Sequence, residues 1–258
     1  MKLYLKYLSM LLKSQMQYRI SFLMTVVGQF LVSSSMFLGI WFMFSRFHSV
    51  DGFGFSEVLL CFSVILMAFS TAECFVRGFD RFPHLIRTGE LDRLLVRPRS
   101  VIFQVLTSNV EFSRLGRFAQ AVLVLCYALP SSGVIWTWDK ILTLIMMLAG
   151  GILLFSALFV LYAGISFFTI EGLEFMNIFT DGGREFGSYP LSIYGEGILK
   201  FFTYVVPLAL VQYYPFLYLT GRSGNALYPF LPLAAGVFIV PCYLFFRLGL
   251  KKYQSTGS

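Results

Sequence analysis

Three carboxylates stand in or beside long apolar stretches, where an ionised group is costly and is therefore a functional candidate. Glu73 lies at the end of the stretch 58–75, and Glu171 and Glu174 follow the stretch 141–170. The last two are three residues apart, which puts them on one face of a helix. Groups placed in this way could pass a proton or a cation across a membrane. A relay also needs a counter-charge, and no Lys, Arg or His lies within any other apolar stretch. Arg77, four residues beyond Glu73, offers a Glu-to-Arg helical pair, and both groups could snorkel to headgroups.

Other chemistry is missing from the pattern. Cys61, Cys74, Cys126 and Cys242 fall in or beside apolar stretches with no C-x-x-C pair, so they read as reduced core hydrophobes. His48 and His84 lie on opposite sides of the membrane in the topology below and cannot share a metal. There is no H-E-x-x-H and no G-x-S-x-G. The dipeptide Gly-Lys never occurs, so a phosphate-cradling G-x-x-x-x-G-K-[ST] cannot form. The chain is therefore expected to be no enzyme and to bind no cofactor itself.

The elements that position these residues follow from composition. Of 258 residues, 57% are hydrophobic and 13% charged, with a mean hydropathy of +0.76. Soluble domains carry about 25% charged residues, so a water-facing surface is not served. Thirty Phe, 14 Tyr and 3 Trp exclude a disordered chain. The expected fold is an all-α integral membrane protein. About 20 apolar residues make one span, and the charge-poor windows 20–45, 58–72, 118–138, 141–170, 201–221 and 223–246 predict six.

The fourth window admits two readings. It reads as one long span, or 141–182 reads as a hairpin of two, Ile141 to about Leu158 and about Leu161 to Asp181. In the second reading 190–221 does not cross. That segment carries Pro190, Pro207 and Pro215 with Lys200 in its middle. Broken, re-entrant half-helices suit it, because irregular backbone is tolerated at depth where protein or a water-filled cavity satisfies it. Orientation follows from Lys and Arg, which concentrate on the cytoplasmic side. Six simple spans put 17 cations inside and 3 outside, and the hairpin reading 15 and 5. Both termini are cytoplasmic either way. The net charge of +7 marks this topology, not nucleic-acid binding. The basic stretch 77–117 is interleaved with Asp80, Glu90, Asp92 and Glu111, and no nucleic-acid motif accompanies it.

Residues 1–19 read as an uncleaved interfacial helix. Lys2, Lys6, Ser9, Lys13 and Gln17 form one stripe, with Leu5, Leu8, Leu12 and Met16 opposite. The most informative segment is 80–99, DRFPHLIRTGELDRLLVRPR. Pro83 suits the first turn of a short helix, and Gly89 can close it in a left-handed cap. A second short helix then runs from about Glu90 to Val96, ended by Pro98. Leu91, Leu94 and Leu95 form an apolar knob framed by Glu90, Asp92, Arg93 and Arg97, suited to dock in another protein's groove.

The basic loop after the second span, I-R-T-G-E-L-D-R-L-L-V-R-P, resembles that of the permeases of ABC type-2 exporters, with a carboxylate, a Gly and a leucine pair closed by Pro. The stretch Tyr189–Tyr194 (YPLSIY), then Val205–Ala209 (VVPLA) and Tyr213–Pro215 (YYP), is similar to the proline-rich run before the last span in one branch of that family. The resemblance implies that 80–99 is a coupling segment seated on a separate ATPase, with Pro83, Gly89, Glu90, Leu91, Asp92, Leu94, Leu95, Arg97 and Pro98 at the contact. It implies that 1–19 is a connecting helix and that 190–217 forms extracellular re-entrant half-helices. It also implies a single transmembrane domain in the plasma membrane, two ATP-binding cassette subunits carrying ATP and Mg, and a second permease, a distinct paralogue more than an identical copy. Phe30, Phe37, Trp41, Phe62, Phe69, Phe167 and Phe168 are available to line a path for an amphipathic or hydrophobic cargo. The alternative is an ATPase-independent protein, an ion-coupled carrier or a scaffold subunit.

Overall fold

The computed structural model describes residues 2–169 and 173–254. Among these the protein is all-α, with no strand beyond one bridge between Val50 and Phe53. The first helix, α1 (Lys2–Gln15), and a 3-10 turn lead into α2 (Arg19–Arg46), with a backbone break at Tyr18 (φ −106°, ψ 69°). Helix α3 (Phe55–Val76) starts where the Glu57 Oε2 accepts the Gly54 N–H at 2.8 Å. It is apolar all round, and every residue from Val58 to Leu66 is buried, so it is the central helix of the bundle. A surface stretch follows: α4 (Phe82–Arg87), α5 (Glu90–Leu95) and α6 (Val101–Ser108). Then α7 (Leu115–Ser131) and α8 (Trp138–Ile165) pack on α3.

The hairpin reading of 141–182 is wrong. Helix α8 runs unbroken through Leu158 and Leu161 to Ile165. Its apolar residues satisfy their backbone bonds within one long helix, so nothing forces a turn there. After it, α9 (Asn177–Gly187) climbs along α3, with Arg184 over the Phe69 ring at 5.2 Å and Gly187 facing Ile65. Next come α10 (Glu196–Tyr204), α11 (Leu208–Val211) and α12 (Tyr213–Leu219). Their path bends by 86° between Tyr204 and Leu208, at Pro207. The far end of α12 meets the start of α8, where Lys140 Nζ donates to the Leu219 carbonyl at 2.9 Å and Tyr218 to Asp139 at 2.8 Å.

Residues 177–219 therefore lead from the end of α8 to its beginning, and the bent pair within them fits a broken span or a re-entrant loop. Pro190 opens a 3-10 turn (Leu191–Tyr194), Pro207 stands at the bend, and Pro215 falls in the first turn of α12, where its missing N–H is harmless. Helices α13 (Leu231–Gly236) and α14 (Ile239–Lys252) form the last span. Among the described residues five helical stretches are long and apolar enough to cross a membrane, or six if the bent pair is one span. On the far side, Arg222 bonds the Gly52 carbonyl (2.7 Å) and Glu57 (2.9 Å) and lies 3.9 Å over the Phe53 ring.

Small residues set the closest approaches, as is usual for helices in lipid. A Cβ on Gly116 of α7 would stand 2.0 Å from the Val26 carbonyl of α2, and one on Gly150 of α8 would stand 2.5 Å from that of Pro232. Gly116→Ala should force α2 and α7 apart and cost about 1–3 kcal/mol, as overpacking does. Gly28→Ala, in open space on α2, should cost nothing. Thermal unfolding in detergent checks both, and equal melting temperatures would refute the packing argument.

Candidate functional site

Two constellations lie at the end of the bundle that holds α4–α6. The first is built on Glu73, whose side chain is 0% exposed in the last turn of α3. Its Oε1 accepts from Arg77 on the same helix, and Arg114 approaches that oxygen at 3.4 Å. Its Oε2 accepts from Arg117 Nη1 at 3.0 Å. Arg114 in turn holds Glu111 at 2.7 Å and the Gln29 Oε1 at 3.1 Å, and Arg77 holds Asp80 at 3.0 Å. Six charged groups thus neutralise one another and tie α2, α3 and the start of α7 together. Arg117 Nε and Gln120 Oε1 of α7, and Arg184 Nε of α9, are buried without a partner among the described residues.

The expected Glu73–Arg77 pair is present, but Glu73 does not reach toward headgroups. Glu73 turns inward, because two arginines from an adjacent helix meet it at the same depth. The sequence did carry a signal: Arg114 and Arg117 stand three apart at the edge of the third window, just as Glu73 stands at the edge of the second. Consecutive antiparallel spans bring those edges together. Glu174 is exposed and Glu171 lies outside the described residues, so among the described residues the carboxylates do not form a line.

The second constellation is the loop. Pro83 sits in the first turn of α4, Gly89 takes the left-handed conformation (φ +69°), and α5 follows at once, as the spacing predicted. The three leucines do not form one outward knob. Leu91 is 0% exposed, packed with Phe79, Phe82, Ile86 and Phe246 in the core, and Leu94 is half-buried against the same cluster. The ring of Phe82 stacks edge-on against Phe167 (5.4 Å) and Phe246 (5.1 Å). What faces outward is Leu95 (44% exposed), Val96 (84%), Arg97 and Pro98, with Glu90 and Arg93 beside them. Val96, more exposed than Leu95, was not singled out from the sequence. Gln104 of α6 secures the far end of α5 by donating to the Leu94 and Arg99 carbonyls at 2.8 and 2.9 Å. Asp92 is half-buried. Just past α14, burial and then the nearby Asp92 carboxylate push the Tyr253 phenol upward.

Most of the aromatic side chains anticipated as a lining are core. Phe62 and Phe69 are fully buried and Phe167 is in the Phe82 cluster. Phe37 and Trp41 instead border an apolar groove of about 350 Å³ between α2, α3 and α7, with Phe55, Leu123, Val124 and Tyr127. Phe168 is exposed and Phe30 half-buried.

The family model described as ABC-2 family transporter protein matches residues 30–257. No curated protein and no solved structure gives a match.

The Glu73 cluster can be tested without knowing the cargo. Glu73→Gln leaves three arginines facing a neutral amide and should cost about 3–5 kcal/mol, the usual penalty for breaking a buried pair. Adding Arg117→Gln should recover part of that loss, because Arg77 and Arg114 keep Asp80 and Glu111. Melting of the two single variants and the double variant measures the coupling. A double loss equal to the sum of the singles would dissolve the pairing.

Proposed function

The chain belongs to the ABC-2 transporter family, and from that premise we propose that it is the permease subunit of an ATP-driven exporter that docks on its ATPase through α5. Membership makes it a multi-pass membrane component of an ABC transporter, and in this reading it sits in the plasma membrane and relies on a separate ATPase. The observation that carries the finer reading is the loop: a short exposed edge, Leu95 to Pro98, mounted on side chains that belong to the bundle core. A contact of this kind transmits force, because Leu91 and Phe82 cannot move without α8 and α14.

In this reading the loop side and both termini face the cytoplasm, consistent with the excess of Lys and Arg there. Helix α1 is the interfacial connecting helix. A pair of ATPase subunits carries ATP and Mg, and a second permease, a distinct paralogue, completes the transporter. Closure of the ATPase pair around nucleotide is the differential contact that favours one state over the other. The docked edge would follow its cleft and rock one permease against its neighbour, opening a shared path outward. The groove at Phe37 and Trp41 supports an amphipathic or hydrophobic cargo. Glu73, held by arginines, is assigned to structure and not to ion coupling.

The test is co-purification in mild detergent with mass spectrometry. Leu94→Asp is a poor probe, since Leu94 is half-buried in its own core. Leu95→Asp with Val96→Asp, both outward, should leave membrane insertion intact. Loss of one hot spot, about 2 kcal/mol, should reduce the recovered ATPase at least tenfold. Undiminished ATPase and transport would sink the docking site.

A further inference from the structure

A second cavity lies on the loop side and borders the docking edge at Arg97. About 200 Å³ in volume, it is enclosed by three elements: Leu3 and Tyr7 of α1, Leu94, Arg97 and Arg99 at the end of α5, and Phe103, Gln104, Thr107 and Ser108 of α6. Its chemistry is segregated. Arg97 and Arg99 are exposed, and among the described residues neither forms an ion pair and no acid lines the cavity. Leu3, Tyr7 and Phe103 supply an apolar wall. Gln104 is buried there, and its Nε2 donates to the carbonyls of Leu94 and Arg99.

The cavity persists because α1 is fastened to α6. Gln15 Nε2 donates to the Val110 carbonyl at 2.5 Å, and the rings of Tyr4 and Tyr7 lie 6.5 and 6.3 Å from that of Phe103. Around it, α1 exposes Leu3, Leu5 and Met10 together with Lys6 and Lys13. A cationic helix with exposed apolar residues suits the surface of an anionic leaflet.

We propose that this cavity binds the phosphate-bearing headgroup of an anionic phospholipid, with Arg97 and Arg99 on the phosphate and the acyl chains lying along the exposed apolar residues of α1. Planar guanidiniums present paired donors that match phosphate oxygens. The volume takes a phosphate and its glycerol. The lipid would bridge the first helix to the end of α5, so leaflet composition would bear on how firmly that end is held. The inference needs only the chain's place in a membrane, and it stands or falls apart from ATPase docking.

The test uses Leu3→Trp, which puts an indole in the cavity wall. The native Trp41, Trp136 and Trp138 lie at the opposite end of the bundle, and the unsubstituted chain provides their signal as reference. The full chain is reconstituted in phosphatidylcholine vesicles doped with phosphatidylglycerol brominated near the head of its acyl chains. The introduced indole should be quenched at a several-fold lower mole fraction of brominated phosphatidylglycerol than of brominated phosphatidylcholine. Arg99→Gln should abolish that preference and Arg99→Lys should keep most of it. Arg99 is exposed, so neither variant disturbs the core, and it lies outside the docking edge that includes Arg97. Equal quenching by the two lipids, or a preference that survives Arg99→Gln, would overturn the proposal. So would its loss on adding millimolar inorganic phosphate, which would assign the site to a free anion.

Discussion

One buried carboxylate organises the loop end of this bundle. Removing Glu73 from water is expensive, and the cost is offset only where cations and further hydrogen bonds reach it. Arg77, Arg114 and Arg117 do so, but three arginines around one carboxylate would themselves repel. Asp80 and Glu111 resolve that by taking the outer faces of Arg77 and Arg114. The network is thereby closed to charge and fixes the relative depth of α3 and α7. Gln29 extends it to α2, whose approach to α7 is set separately by Gly116. Geometry at the beginning of the loop follows from this anchor.

The loop that starts there is polar outside and aromatic inside. Phe79, Phe82 and Leu91 connect it to Phe167 and Phe246, so the short helices α4 and α5 are continuous with the core of the bundle. Helices of six residues have little stability of their own. Here Pro83 fixes the entry, left-handed Gly89 makes the turn between them, and Gln104 ties down the exit. Under the proposed docking on an ATPase, such rigid mounting is what a force-bearing contact would require, since a floppy loop would absorb displacement.

Much of this was legible in the sequence, and the limits are physical. Charge-free windows found the spans, because the penalty for a charge in hydrocarbon depends on residue type alone. Pro83, Gly89 and Pro98 marked the short helices, because their backbone preferences are local. Which leucine of α5 faces inward was not legible: Leu91 and Leu95 are both on the apolar side of so short a helix, and only the position of Phe82 and Phe246 decides between them. For Glu73 the near partner Arg77 was legible, whereas Arg114 and Arg117 lie about forty residues away along the chain and were signalled only by the matching edges of two windows. The fate of 141–182 was ambiguous for another reason. A continuous apolar run of thirty residues satisfies one long tilted helix as well as the start of a hairpin.

The bent segment shows how the chain tolerates its prolines. An open turn at membrane depth is stable only if protein surrounds it, and Val206 to Ala209 are all buried, packed with the core that α8 supplies. Just beyond the bend, Gln212 is fully buried, and its amide donates to the Tyr189 carbonyl at 3.2 Å and toward Cys61 of α3 at 3.0 Å. One side chain thus satisfies a carbonyl left free before the 3-10 turn at Pro190 and fastens the bend to the central helix. The polar residues inside this bundle therefore serve two kinds of break: Glu73 holds the point where the chain leaves the membrane, and Gln212 holds the point where it bends within it.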